Sequence, residues 1–109
     1  MRNGGDRMNL DDLSTKLTAI SSPQRIRIIA SLLESSLHVS ELARRMEMSR
    51  AVLYMHLAKL EQAGFIEGHL ELSPEGKALK FFEVAPFTLT IDPATLAAAV
   101  TAERENGTI

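Results

Sequence analysis

Between Val39 and Leu72 the spacing of apolar residues changes twice, and this succession of periods limits what the chain can fold into. Val39, Leu42, Ala43 and Met46 stand at i, i+3, i+4 and i+7, the stripe of a short helix over Val39–Glu47 with one buried face. Met48 falls in a turn. Ser49 is placed as the N-cap of a longer helix, Arg50 to Ala63, which Gly64 stops. The apolar face of that helix is Leu53, Leu57 and Leu60. After Gly64 the period falls to two: Ile66, Leu70 and Leu72 lie at even spacing, so Phe65–Leu72 reads as a strand. Ser73-Pro74-Glu75-Gly76 fits a type I turn, and Lys77–Val84 returns as a second strand carrying Phe81 and Phe82, with Leu79-Lys80 open to a short helical turn instead.

The flanks are helical. Leu10, Leu13, Leu17 and Ile20 predict a helix over Leu10–Ile20, with Asp11 and Asp12 in its first turn, where they complement the dipole. Ser22 and Pro23 are the cap and first residue of a second helix reaching Ser35-Ser36, with Ile26, Ile29 and Leu33 on one stripe and Ile28 and Leu32 beside it. Pro86 breaks the second strand, and Phe87–Ile91 is open to a third. Asp92-Pro93 starts a last helix to about Glu105. The expected fold is mainly α with a small β wing: a winged helix-turn-helix of about five helices and a two- or three-stranded hairpin or sheet. Residues 1–8 and 106–109 are expected as tails around one domain, 9–105, with terminal dimerisation helices at 9–21 and 92–105.

Composition removes other classes. A chain of 109 residues fits one domain and leaves no room for a separate catalytic or sensor domain. It has no cysteine, hence no disulfide or thiolate metal site. His38, His56 and His69 give no i, i+4 ligand pair, and no Gly-rich phosphate loop or nucleophile–base set is present, so no metal, cofactor or enzymatic activity is expected. No apolar run is long enough for a membrane span, and the polar Met1–Arg7 lacks the core of a signal peptide, which points to the cytoplasm. The formal net charge of −2 is unlike the strongly basic balance of many nucleic-acid binders, although Arg44, Arg45, Arg50 and Lys59 give the central segment a small basic excess.

At about 100° per residue, Arg50, Ala51, Tyr54, Met55 and Ala58 fall opposite the leucine stripe of the longer helix. A DNA major groove accepts a helix of this kind. Arg can pair there with guanine O6 and N7, and Met or Ala can touch a thymine methyl. Arg44 and Arg45 suit either backbone phosphate or a solvated helix face. His56 borders the buried stripe, so a hydrogen-bonded structural role and a phosphate contact are both open to it. His38 precedes or caps the third helix, and His69 reads as an ordinary wing residue. Arg25 and Arg27 begin the second helix, the unfavourable end for cations, which implies an anionic neighbour, either phosphate or a carboxylate such as Glu61. Leu10, Leu13 and Leu17 form a narrow stripe, and the last helix is built of small residues around Leu96 and Val100. Both suit a homodimer interface.

Ser-Pro-Gln-Arg-Ile-Arg-Ile-Ile (22–29), Val-Ser-Glu-Leu-Ala (39–43), Ser-Arg-Ala-Val-Leu-Tyr-Met-His-Leu-Ala-Lys-Leu (49–60) and Gly-Phe-Ile (64–66) resemble the ArsR-type winged helix-turn-helix regulators, over roughly Leu17–Val84. The resemblance implies a prokaryotic homodimer on double-stranded DNA, with base-edge contacts from Arg50, Ala51, Tyr54 and Met55. It implies phosphate contacts from Ser40, Ser49, His56 and Lys59, and a dimer made by the first and last helices. The two recognition helices of such a dimer stand about 34 Å apart, so the operator is expected to be pseudo-palindromic. The chain departs from the family pattern in three ways. It lacks the cysteine pair of the third helix and the histidine of the last helix that metal-sensing members use. Met55 stands where Arg is frequent. The wing sets Glu67, Glu71, Glu75 and Glu83 against Lys77 and Lys80, so it reaches phosphate only through its tip at Lys77. The acidic wing keeps open an alternative, a winged-helix module for binding another protein. No effector is identified; Phe81, Phe82 and Phe87 suit a core better than a ligand site.

Overall fold

The computed structural model describes residues 8–107. Its elements are α1 (Leu10–Ile20), α2 (Pro23–Glu34), β1 (Leu37–His38), α3 (Val39–Met46), α4 (Arg50–Gln62), β2 (Ile66–Leu72), β3 (Ala78–Val84) and α5 (Pro93–Gly107). They fall into two compact units, residues 19–87 and the chain ends on either side of them. The expected tail at 1–8 lies, but for Met8, outside the described residues, as do Thr108 and Ile109.

In the central unit, Ser22 caps α2 by accepting the Arg25 N–H at 3.3 Å, with Pro23 just inside. The helix buries Ile28 and Leu32. This corrects the expected stripe: Ile26 is exposed, Leu33 is 73% exposed, and only Ile29 keeps partial cover. Apolar residues occur around much of this helix, so spacing alone left its rotation open; packing on β3, α3 and α4 chooses Ile28 and Leu32. The short α3 buries Val39, Leu42 and Ala43. It ends on Glu47 in the left-handed region (φ 55°), and the Met48 N–H bonds back to the Ala43 carbonyl at 3.2 Å. Ser49 then caps α4, its Oγ accepting the Val52 N–H at 3.1 Å. At the far end Gly64 (φ 86°) turns the chain out of α4 and Phe65 donates to the Leu60 carbonyl.

The sheet has the order β1-β3-β2, antiparallel throughout. Its third strand is therefore Leu37–His38, paired with Phe82 and Phe81, and not Phe87–Ile91, which is irregular. Two residues are too few to show alternation in a sequence, and with β1 and β2 on its two edges β3 has no edge left for a further strand. The hairpin runs from Ile66↔Val84 to Leu72↔Ala78 and closes on the expected turn, where Gly76 (φ 84°) donates to the Ser73 carbonyl at 2.9 Å. Leu70 and Leu72 keep the strand period, yet Leu72 is 77% exposed, because the wing extends beyond the core. The core joins Ile28, Leu42, Leu53, Leu57, Leu60, Phe65, Ile66 and Phe82, with Phe87 set edge-on to Phe65 at 4.6 Å between ring centroids.

In the unit made by the chain ends, Asn9 caps α1 through the Asp12 N–H at 2.8 Å. Asp92 and Thr95 cap α5 reciprocally: Thr95 N–H donates to Asp92 Oδ1 at 2.8 Å, and Asp92 N–H to Thr95 Oγ1 at 3.0 Å. The helix continues to Gly107, two residues past its expected end. Met8, Leu13, Thr88, Thr90, Thr95, Ala98 and Ala99 line a cavity of about 340 Å³.

Candidate nucleic-acid interface

The surface of interest is α4 with its approaches. Leu53, Leu57 and Leu60 are buried on one side, and that anchoring turns Arg50, Ala51, Tyr54, Met55, Ala58 and Lys59 outward. Tyr54 is 43% and Met55 62% exposed. Val52, which the helical wheel did not single out, is also exposed. Ser49 is exposed at the helix start with its Oγ engaged in the cap, and Ser40 is exposed in the first turn of α3.

The basic residues differ in what holds them. Arg44 forms an ion pair with Glu41 on the same helix, its Nε donating to Oε1 at 3.0 Å. Arg45 donates to the other Glu41 oxygen at 3.0 Å and lies 3.8 Å from Glu34. The hydrogen bonds from Arg44 and then Arg45 hold the Glu41 carboxyl down at about pKa 2. A phosphate approaching Arg44 therefore meets a guanidinium already shared with a carboxylate, although the pair is exposed and weak. Lys59 and Lys77 are exposed, Lys59 on α4 and Lys77 beside the hairpin turn.

His56 is half-buried, and Arg25 donates to its Nδ1 at 3.0 Å. Burial, and secondly the charge of Arg25, push its pKa below the usual histidine value. Arg25 Nε also donates to the Ala19 carbonyl at 2.7 Å. These two contacts of Arg25 are to neutral acceptors, and Glu61 accepts the Gly68 N–H at 3.3 Å. Two arginines at the wrong end of a helix were the sequence signal, but nothing in the spacing named His56 as a partner.

The wing has two faces. On one, His69 stacks on Phe81 with its Nε2 2.6 Å from Glu71 and its Nδ1 3.2 Å from Glu83, so it is the centre of a carboxylate clamp and not an ordinary wing residue. On the other, Lys80 lies over the Phe82 ring at 5.5 Å and crosses Gly68, where a Cβ would stand 2.8 Å from Lys80 Cε. His38 occupies the cap position of α3 without a side-chain cap bond, its ring 5.6 Å from Phe81. Among the described residues no group of three or more His, Asp or Glu is arranged to hold a metal ion.

Of the residues expected at a dimer contact, Leu10 and Leu96 are exposed and Leu17 and Val100 half-buried. Leu13 is only 3% exposed and lines the cavity with Ala98 and Ala99, so it belongs to the interior of its own unit instead of the contact surface.

The sequence pattern of the bacterial regulatory proteins of the arsR family matches residues 22–67, from the α2 cap to the start of β2. A helix-turn-helix-type transcriptional regulator of Methanocaldococcus jannaschii is 35% identical over 85 residues, which cover 78% of this chain and 88% of that protein. The chain belongs to the ArsR family. The transcriptional activator HlyU of Vibrio cholerae is 32% identical over 74 residues, 62% of this ArsR chain and 68% of HlyU. The structure of reduced HlyU superposes with a TM-score of 0.58 at 23% identity, covering 90% and 92% of the two chains. A Mycobacterium bovis domain described as a homodimeric winged helix-turn-helix DNA-binding domain superposes at 0.63 with 16% identity, covering 89% and 81%. These likenesses establish the winged helix-turn-helix fold. The ArsR-family chain is a transcriptional regulator and not an enzyme. None of its described helices is long and apolar enough to cross a membrane.

Proposed function

We propose that the protein regulates transcription as a homodimer bound to a pseudo-palindromic operator, with α4 of each subunit in a major groove. The observation that carries this reading is the exposed array of Arg50, Ala51, Tyr54 and Met55, set outward by three buried leucines on the opposite side of one capped helix. These side chains face base edges, where Arg50 is suited to guanine and Met55 and Ala51 to thymine methyls. Ser40, Arg44, Ser49, His56, Lys59 and Lys77 face the backbone. Leu10, Leu96 and the half-buried Leu17 and Val100 serve the dimer contact, in line with the homodimeric Mycobacterium bovis relative. Residues 9–105 act as one regulatory domain with dimerising ends.

A second reading is favoured by one feature, the carboxylate face of the wing built from Glu67, Glu71 and Glu83: a module that binds protein with little DNA affinity. Selection of bound duplexes from a random pool, followed by anisotropy titration at several salt concentrations, separates the two. DNA binding gives a consensus with two half-sites and an affinity that falls steeply with salt. Arg50→Ala is expected to weaken the selected duplex by about 1–3 kcal/mol and relax preference at one base, while Lys59→Ala weakens all duplexes alike. Absence of salt-sensitive binding to any duplex refutes the DNA reading.

A further inference from the structure

Arg25 sits in the first turn of α2, where a cation is unfavourable against the helix dipole, yet its half-buried side chain is tied in two directions. Nε donates to the Ala19 carbonyl in the last turn of α1, at 2.7 Å, and a terminal nitrogen donates to His56 Nδ1 on α4, at 3.0 Å. We propose that Arg25 is a positioning residue for the α4 surface, fixing His56 as the neutral tautomer with its proton on Nε2 and so making the imidazole an oriented N–H donor to phosphate. The proposal rests on the DNA reading of α4 and adds to it a residue on another helix that acts through His56.

The chemistry follows from what each group can do. A guanidinium has only N–H donors and keeps its charge at all relevant pH values, so a ring nitrogen 3.0 Å away must accept. Nδ1 therefore carries no proton, and in a neutral imidazole the proton is on Nε2. The two ring nitrogens diverge, so the Nε2–H is directed away from Arg25. Protonating the ring would set an N–H and a second positive charge against the guanidinium, and the depressed pKa of His56 agrees with this. The guanidinium is a rigid planar fork. With Nε held on Ala19, the terminal nitrogen is not free to follow the imidazole, and the ring adjusts to it. His56 lies between the buried leucines and the exposed face of α4, so a ring turned by this bond is part of the surface offered to the backbone. A lysine has one nitrogen and cannot reproduce both contacts in fixed geometry.

The test combines nitrogen NMR of the ¹⁵N-labelled full chain with anisotropy titration of a selected duplex. The wild type is expected to show His56 with Nδ1 unprotonated and Nε2 protonated, the signal being assigned by its loss in His56→Gln. Arg25→Met, which keeps length but removes every donor, is expected to give mixed tautomers and to weaken all duplexes roughly tenfold. His56→Phe is expected to match that loss. His56→Gln is expected to recover most of it, because an amide oxygen accepts from Arg25 while the amide nitrogen donates outward. The double variant Arg25→Met/His56→Phe is expected to bind no worse than His56→Phe alone. If Arg25→Met does not fold, the wild-type tautomer and the His56 variants still decide the matter. A proton on Nδ1 in the wild type overturns the proposal, as does an Arg25→Met loss that persists in the His56→Phe background. If Arg50→Ala weakens binding and Arg25→Met does not, the positioning role fails and the DNA reading stands. If the wild type binds no duplex, the DNA reading fails and this inference fails with it.

Discussion

Replacing Ser49 separates two roles that coincide at the start of α4. Its Oγ accepts the Val52 N–H at 3.1 Å, satisfying one of the backbone donors that no intrahelical carbonyl reaches. The site is exposed, so Ser49→Ala loses a cap and leaves the donor to water, a destabilisation of about 1 kcal/mol. For a domain of this size that is a fall in Tm of roughly 4–5 °C at fixed protein concentration. Ser49→Asn and Ser49→Asp both cap well, so both are expected to keep wild-type stability. They differ towards DNA. Asn leaves the charge unchanged, whereas Asp sets a carboxylate at the point where Ser49 is proposed to meet phosphate. Circular dichroism melts with anisotropy titration of the same samples give both quantities. The expected order of stability is Ser, Asn and Asp together above Ala, and the expected order of affinity places Asp last. The capping argument is refuted if Ala melts with the wild type, or if Asn is as destabilised as Ala. The phosphate assignment is refuted if Asp binds DNA as well as Asn.

Stability is expected to depend on pH through His56, whose folded pKa lies below its unfolded value of 6.5. Above pH 6.5 both states leave it neutral and its contribution is whole; as pH falls the unfolded chain takes the proton first, and stability declines through the lowered folded pKa. Urea midpoints measured from pH 8 to pH 5 show this as a slope that His56→Gln removes. The Glu41 contribution lies lower, lost between pH 4.5 and about 2, so the two windows are separable. Glu47→Gly relieves a left-handed non-glycine residue (φ 55°) at the end of α3 and is expected to stabilise by roughly 0.5–1 kcal/mol in the same urea assay; a destabilised variant contradicts the strain argument. Gly68→Ala places a methyl 2.8 Å from Lys80 Cε and 2.9 Å from Phe82 Cε1. The lysine can move but the buried Phe82 cannot follow easily, so a loss of about 1–3 kcal/mol is expected, and a neutral result would show that the wing yields instead.

Capping and helix phase were legible wherever a residue type has one local use. Ser22 with Pro23, Ser49, the turn at Ser73–Gly76 and the start of α5 at Asp92-Pro93 stand where the spacing placed them, because each acts on a backbone group two to four residues away. The orientation of α4 followed for a similar reason: Leu53, Leu57 and Leu60 share one side of the helix, and Arg50, Ala51, Tyr54 and Met55 fall away from it, although the exposure of Val52 was not legible from the same spacing. In α2 the apolar residues spread too widely to choose a side, and the helix turned inward on Ile28 and Leu32 when Ile26 and Leu33 were equally apolar candidates.

The chain's own order of residues thus determined the helices, their ends, the wing and the outward array on α4, since those depend on local geometry and on whether a side chain is apolar. Tertiary structure decided which side of α2 is interior, that Leu37–His38 completes the sheet, that Leu13 is interior, and that Arg25 meets His56 across 31 positions. Such pairings depend on which surfaces the folded core brings within hydrogen-bond reach, and a period of 3.6 or 2 carries no record of a partner's address.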